Sequence, residues 1–173
     1  MTPFEVERTL KSMTLLVDTR EQDTLAFRKR IKEIGLPYER CKLDFGDYSC
    51  KCVLPSGETL SLKDKVCIER KMNLDETSAC FAKGRERFER EFERTKSVQG
   101  LLYLLIENGN WEKIFAHEYR SRLDPEALSA SLLAWISRYR YQLIFCEART
   151  TGKLIYKIFR YELKERLERG NYE

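Results

Sequence analysis

Apolar and polar positions fall into blocks along this chain, and the blocks predict strands alternating with helices. Residues 13–17 form a short apolar run, the mark of a buried strand, and the run stops at Asp18. Residues 24–34 place Phe27, Ile31 and Ile34 on one helical face. Asp23 stands where a cap is wanted, and Gly35 and Pro37 end that helix. Residues 38–54 read as two strands interrupted at Gly46. Ser56-Gly57 marks a turn, and strands follow near 58–62 and 65–70. One helix is predicted over 76–96, with Phe81, Phe88 and Phe92 on a stripe. Residues 101–106 are a fully apolar strand. Asp124-Pro125-Glu126 opens a helix, with Asp as cap and Pro at its first position. Leu128, Leu132, Trp135, Ile136 and Tyr139 line it. A strand over 142–146 and a helix over 153–169 complete the chain. This order predicts an α/β fold, a mixed central sheet flanked by helices.

Composition narrows the class. A chain of 173 residues that is 42% hydrophobic can bury the core of one domain. The charged fraction is 35%, yet the net charge is only +4, which permits a nucleic-acid partner without demanding one. The longest apolar run, residues 101–106, is far short of the roughly 20 residues that a membrane span needs. Residues 1–14 carry Glu5, Glu7, Arg8 and Lys11 and have no apolar core of a secretory signal, so a cytoplasmic protein is expected. The 6 cysteines form no CxxC pair and there is 1 histidine, which argues against zinc and for packed, reduced thiols.

Acids follow four of the strands: Asp18, Glu69, Glu107 and Glu147. In open α/β sheets ligand sites lie at the carboxyl ends of strands. Polar loops put acids there too, and Glu147 reads as one of those. Glu107 is open between the two readings. Asp18 comes with Glu21 in "VDTRE" and points to function. Asp47 stands in "LDFGDYSC", where Gly46 could form a bulge that aims it at a site.

The run "VCIERKMNLDE" drives apolar Val66-Cys67-Ile68 into Glu69, Arg70, Lys71 and Asp75. Glu69 and Lys71 are two apart, so on a strand they share a face. With Asp47 about twenty residues upstream, they form an acid…(Asp/Glu)-x-Lys arrangement. Two carboxylates can hold a Mg²⁺ that keeps several of its waters. Such an ion activates a water and neutralises charge on a phosphoryl oxygen, with a lysine to orient the water and stabilise the transition state. That chemistry hydrolyses phosphodiesters. Taken bare, the pattern is loose.

A longer set of motifs is more specific. "ERKMNLD" is ERKxxxD behind an apolar strand, with "VDTRE" and "GDY" upstream and "KGRERFE" and "LLYLLIE" downstream. In order and spacing these resemble the nuclease domain of the XPF-type structure-specific endonucleases, which include eukaryotic flap and bubble nucleases and the archaeal helicase-associated Hef nuclease. The resemblance covers about residues 13–165 of a single domain spanning 1–173. It implies a restriction-endonuclease-like core and DNA cleavage with Mg²⁺ or Mn²⁺. It places Asp18, Asp47 and Glu69 in the metal-ligand set, makes Lys71 the catalytic lysine, and completes the signature with Arg70 and Asp75. Arg85 matches the arginine of the next helix, Glu107 the acid ending the next strand, and Glu21 the acid of the first motif. The chain departs from the family at Glu89, where a glutamine is common. Family enzymes usually add a tandem helix-hairpin-helix domain and often a helicase domain, and neither fits in 173 residues. A compact module of this kind suits a bacterium or a phage.

For DNA contact, Lys83 and Arg85 near the helix start are the expected phosphate ligands. Arg87, Arg90 and Arg94 read instead as Glu–Arg pairs along the helix. Residues 149–169 carry an excess of Lys and Arg around Ile155, Ile158, Phe159, Leu163 and Leu167. They read as a helix packing on its own sheet or, through the family resemblance, as a homodimer contact. The resemblance implies branched or flap DNA as substrate. It also admits a catalytically silent DNA-binding scaffold, which should have lost Asp47, Glu69 or Lys71; all three are present.

Overall fold

The computed structural model describes residues 1–170 and 172. The elements run α1 (Pro3–Leu10), β1 (Thr14–Asp18), α2 (Leu25–Ile34), β2 (Tyr38–Cys41), β3 (Tyr48–Val53), β4 (Thr59–Ser61) and β5 (Val66–Lys71). They continue with α3 (Leu74–Phe81), α4 (Arg85–Ser97), β6 (Leu101–Glu107), α5 (Trp111–Phe115), α6 (Pro125–Tyr139), β7 (Gln142–Cys146) and α7 (Thr151–Arg169). The strands form one sheet in the order β2-β1-β3-β5-β6-β7, with β4 on β3. β1 and β2 are parallel, as are β5, β6 and β7, while β3 runs against both β1 and β5. The mixed sheet flanked by helices is the architecture that the sequence predicts.

Alternation along the strands divides the core. Leu15, Val17, Tyr48, Ile68 and Leu105 face α1, α2 and α7. Leu16, Cys67, Leu102, Leu104 and Ile106 face the layer of α3, α4, α5 and α6. A one-residue slip in any strand would exchange these two sets, so the pattern fixes the register.

Local chemistry sets the helix ends, and three of them depart from the sequence expectation. Thr24, not Asp23, caps α2: its hydroxyl accepts the Phe27 N–H at 3.1 Å, while Asp23 pairs with Arg28. The helix expected over 76–96 is two helices, α3 and α4, parted at 82–84. The break brings the Phe81 and Phe88 rings edge-to-face at 5.4 Å, both against Trp135. Ring contacts of this kind add to area burial, and Gly84, the N-cap of α4, stands at the break. α1 is an element that the apolar pattern does not predict. Thr2 and Glu5 form a capping box, Pro3 takes the first position, and Val6 and Leu10 bury one face.

The apolar stripe of α7, Ile155, Phe159, Leu163 and Leu167, is fully buried within the chain. The intrachain alternative therefore describes that stripe. A homodimer through α7 would have to use its outer side, around Lys157, Tyr161 and Arg169. Trp111 begins α5 and stacks on Phe115. Among the described residues no helix is long and apolar enough to cross a membrane.

Candidate active site

The antiparallel run of β3 puts its start at the same sheet edge as the carboxyl ends of β1, β5, β6 and β7. Asp47, immediately before β3, therefore meets the ends of β1 and β5. Its N–H donates to the Ile68 carbonyl at 2.8 Å, and its carbonyl accepts from the Asp18 N–H at 2.9 Å. Gly46 makes this approach with φ +71°, and a Cβ there would come within 2.8 Å of the Cys67 Cβ. The Asp47 carboxylate then accepts the Arg70 N–H at 2.8 Å through Oδ2.

Glu69 and Lys71 alternate with Arg70 on β5. Both point into the layer of α3 and α4, where they line a cleft of about 540 Å³ with Glu76, Cys80, Phe88 and Glu91. Glu69 is 6% exposed and Lys71 7%, too little for either charge to stand alone. They pair, Lys71 Nζ lying 2.5 Å from Glu69 Oε1, and the same ammonium lies 4.9 Å over the Phe88 ring. Burial alone would make Lys71 easier to deprotonate; the Glu69 carboxylate outweighs it and holds the lysine charged. Burial and the neighbouring Glu69 push the Asp47 carboxyl well above the usual carboxylate range. Burial and Glu69 also push up the Glu91 carboxyl. Asp47, Glu69 and Glu91 thus crowd around one buried lysine, Lys71. Among the described residues no three His, Cys, Asp or Glu side chains are arranged to hold a metal ion.

Asp18, expected in the ligand set, is engaged elsewhere. Its Oδ1 accepts from Arg20 Nε at 2.6 Å and the Arg20 N–H at 2.8 Å, and its Oδ2 from the Leu43 N–H at 2.8 Å. Burial raises its pKa, but Arg20 and these N–H groups outweigh that and hold it low. Asp18 therefore fastens the loop after β2 and fixes Arg20. Arg70 and Glu107 point to the other face of the sheet, 3.0 Å apart. Glu21 is there too, accepting from Tyr48 Oη at 2.8 Å and Arg30 Nη2 at 2.6 Å.

Asp75, expected to be catalytic, turns away to the loop before α6, accepting the Arg120 N–H at 2.6 Å. Asp75→Ala should cost about 1 kcal/mol in urea unfolding, the worth of that hydrogen bond. Mg²⁺ affinity by calorimetry should not change. A lost affinity would put Asp75 at the metal site.

Arg85, expected to contact phosphate, is half-buried and leans on α6. Its Nη1 donates to Ser131 Oγ at 3.1 Å and its guanidinium lies over Trp135. Glu89 faces α6, taking Arg138 and the Tyr139 hydroxyl at 2.8 Å each, so its charge does not enter the cleft. Lys83 does line the cleft, and so does Arg87, which the sequence pattern assigns to a helix-surface pair. Glu91 escapes the motif reading in the same way. Its signal is position: it lies on the buried stripe Phe88, Phe92, Thr95, where acids are rare. Glu147, as expected, is an exposed loop acid, paired with Arg149.

Among the solved structures that share this fold are two from Aeropyrum pernix. One is "XPF from Aeropyrum pernix", 19% identical with TM-score 0.60, matching 85% of this chain and 65% of that one. The other is "XPF from Aeropyrum pernix, complex with DNA", 22% identical with TM-score 0.62, matching 89% of this chain and 66% of that one. The fold is that of the XPF-type nuclease domain, and this chain spans slightly under two thirds of the length of those structures. A family model described as the ERCC4 domain matches residues 17–158, and the chain belongs to that family. No curated protein matches it.

Proposed function

We propose that this chain is a divalent-metal-dependent DNA endonuclease that hydrolyses phosphodiester bonds in branched or flap DNA, serving repair, recombination or mobile-element processing. The observation that carries the proposal is the meeting of Asp47, Glu69 and Lys71 at one edge of the sheet. Membership of the ERCC4-domain family supports it, and a fold relative was solved as a complex with DNA.

The donor set fits a hard cation. Asp47 uses Oδ2 on the Arg70 N–H and Glu69 uses Oε1 on Lys71, so each keeps an oxygen without a partner among the described residues. Mg²⁺ is commonly held by one or two carboxylates and several waters. Bound there, the ion would acidify a water and offset charge on the scissile phosphoryl group. Lys71, fixed by Glu69 and Phe88, presents its ammonium to the same phosphoryl oxygens. Lys83 and Arg87 at the cleft's rim meet the flanking backbone.

The test is cleavage of labelled single-strand, duplex, 3′-flap, fork and four-way-junction DNA in Mg²⁺, Mn²⁺ or EDTA. Cuts near the branch in either metal and none in EDTA are expected. Folded protein that cuts none of these would sink the enzyme reading and leave a silent scaffold.

A further inference from the structure

A second depression lies beyond Glu91, at the far end of α4 from Lys83. It encloses about 350 Å³ and is lined by Thr19, Arg20, Lys42, Leu43, Asp44 and Arg94. Glu91 joins the two clefts: it lines the first, and its carboxylate lies 3.6 Å from Arg20 and 3.7 Å from Arg94, which line the second.

We propose that Arg20, Lys42 and Arg94 form a phosphate-binding subsite that grips the DNA backbone on the opposite side of the cut from Lys83 and Arg87. The inference rests on the nuclease reading above and adds to it a binding site in which Lys42 and Arg94 lie outside the motifs and Arg20 belongs to "VDTRE".

Both guanidiniums are anchored from behind. Arg20 gives Nε to Asp18 at 2.6 Å and Nη2 to the Leu43 carbonyl at 3.4 Å, yet half of its side chain is exposed. Arg94 gives Nε to the Asp44 carbonyl at 2.6 Å and is 43% exposed. A guanidinium held at one edge presents its remaining donors in a fixed fork, and the ordering entropy is lost in folding rather than on binding. Lys42 is exposed and makes no ion pair among the described residues. Asp44 is the acid in the lining, and Asp18 and Glu91 lie behind the arginines. Were Arg20 only a counter-ion for those two acids, nothing would require it to stay half open. From Arg87 to Arg94 the rise of α4 is about 10 Å, about three base-pair rises along the axis of a duplex. A strand crossing the acids can therefore touch cations at both ends.

Lys42 tests the proposal because the fold makes no use of its side chain. Lys32, exposed on α2 in the other helix layer, is the matched control. Binding of a labelled fork DNA would be measured in Ca²⁺ over a range of salt. Lys42→Ala should weaken affinity roughly three- to tenfold at low salt and reduce the log–log salt slope by about 0.7–0.9. Lys42→Glu should weaken it further, Lys42→Arg should restore it, and Lys32→Ala should match wild type. Single methylphosphonate substitutions along the strand add a positional readout. One of them, on one side of the cut, should weaken wild type but not Lys42→Ala. If Lys42→Ala and Lys32→Ala behave alike while wild type still cuts, the subsite falls and the nuclease reading stands. Binding that depends on Lys42 in a protein that cuts nothing would uphold the subsite and remove the nuclease. Wild type that binds no DNA would end both.

Discussion

Asp47→Asn should reduce cleavage about 10³-fold or more and, in EDTA, make the protein more stable than wild type by about 1–2 kcal/mol. Both effects come from one crowding of charge. Asp47 is repelled by Glu69 in a poorly solvated corner, and only Lys71 and the Arg70 N–H oppose that repulsion. The amide keeps the bond that matters for the fold, since its oxygen can still accept the Arg70 N–H. Its nitrogen can then donate towards Glu69, replacing repulsion with a hydrogen bond. A cation has less to neutralise, so the affinity that drives the chemistry is lost. Melting curves separate the two effects. Mg²⁺ should raise the wild-type midpoint and leave that of the variant unmoved. The pH dependence follows with a definite sign. A carboxyl raised in the folded state binds its proton more tightly there than in the unfolded chain. Metal-free wild type therefore loses stability as pH rises from the ordinary carboxylate range through the raised value, and the variant lacks that loss. A variant less stable than wild type in EDTA, or one that cuts within tenfold of it, would mean that Asp47 is not crowded as described.

What is legible in the sequence depends on the range of the interaction behind each feature. Residues 101–106 and 66–68 read as buried strands because both faces of a central strand are covered, and an unbroken apolar run is the direct consequence. Asp124-Pro125 marks the start of α6 because capping is local. The N-terminus carries an equally local signal for α1 in Thr2, Pro3 and Glu5, but the charged residues around it hide the short apolar face of Val6 and Leu10. Glu69 and Lys71 fall on one face by period alone. The division of α3 from α4 has only Gly84 as a local sign, and the contact that goes with it, the rings of Phe81 and Phe88 over Trp135, lies far along the chain. Nor can the sequence say which acids of the motifs converge. Asp18 and Asp47 are joined through their backbones, but the Asp18 carboxylate is taken by Arg20 and Leu43, and that of Asp75 by Arg120. Both carry the family pattern, and both hold the scaffold around the cleft.

Gly46→Ala should be the most damaging change of a single methyl group, and it should act on stability and activity together. At φ +71° an L-residue is strained, and the added Cβ would also sit 2.8 Å from the Cys67 Cβ and 3.1 Å from the Ile68 carbonyl oxygen. Cys67 is fully buried on a central strand, so it cannot yield without moving β5. Strain and overpacking together should cost about 2–4 kcal/mol in urea unfolding. Relief would come from backing residues 45–47 away from β5. That shift lengthens the 2.8 Å bond from the Asp47 N–H to the Ile68 carbonyl and carries the Asp47 carboxylate away from Glu69. A displacement of about 1 Å at such a site costs roughly 10²-fold in rate. Gly35→Ala supplies the internal comparison. Gly35 has the same φ of +71° at the end of α2, but nothing lies within 4 Å of the point that an added methyl group would occupy. It should lose only the backbone part, about 1 kcal/mol, and keep full activity. Equal losses in the two variants would mean that the left-handed backbone alone matters at Gly46. A larger loss at Gly46, with cleavage falling alongside, would tie the glycine of the GDY motif to the packing of its loop against β5, and through that packing to the aim of Asp47.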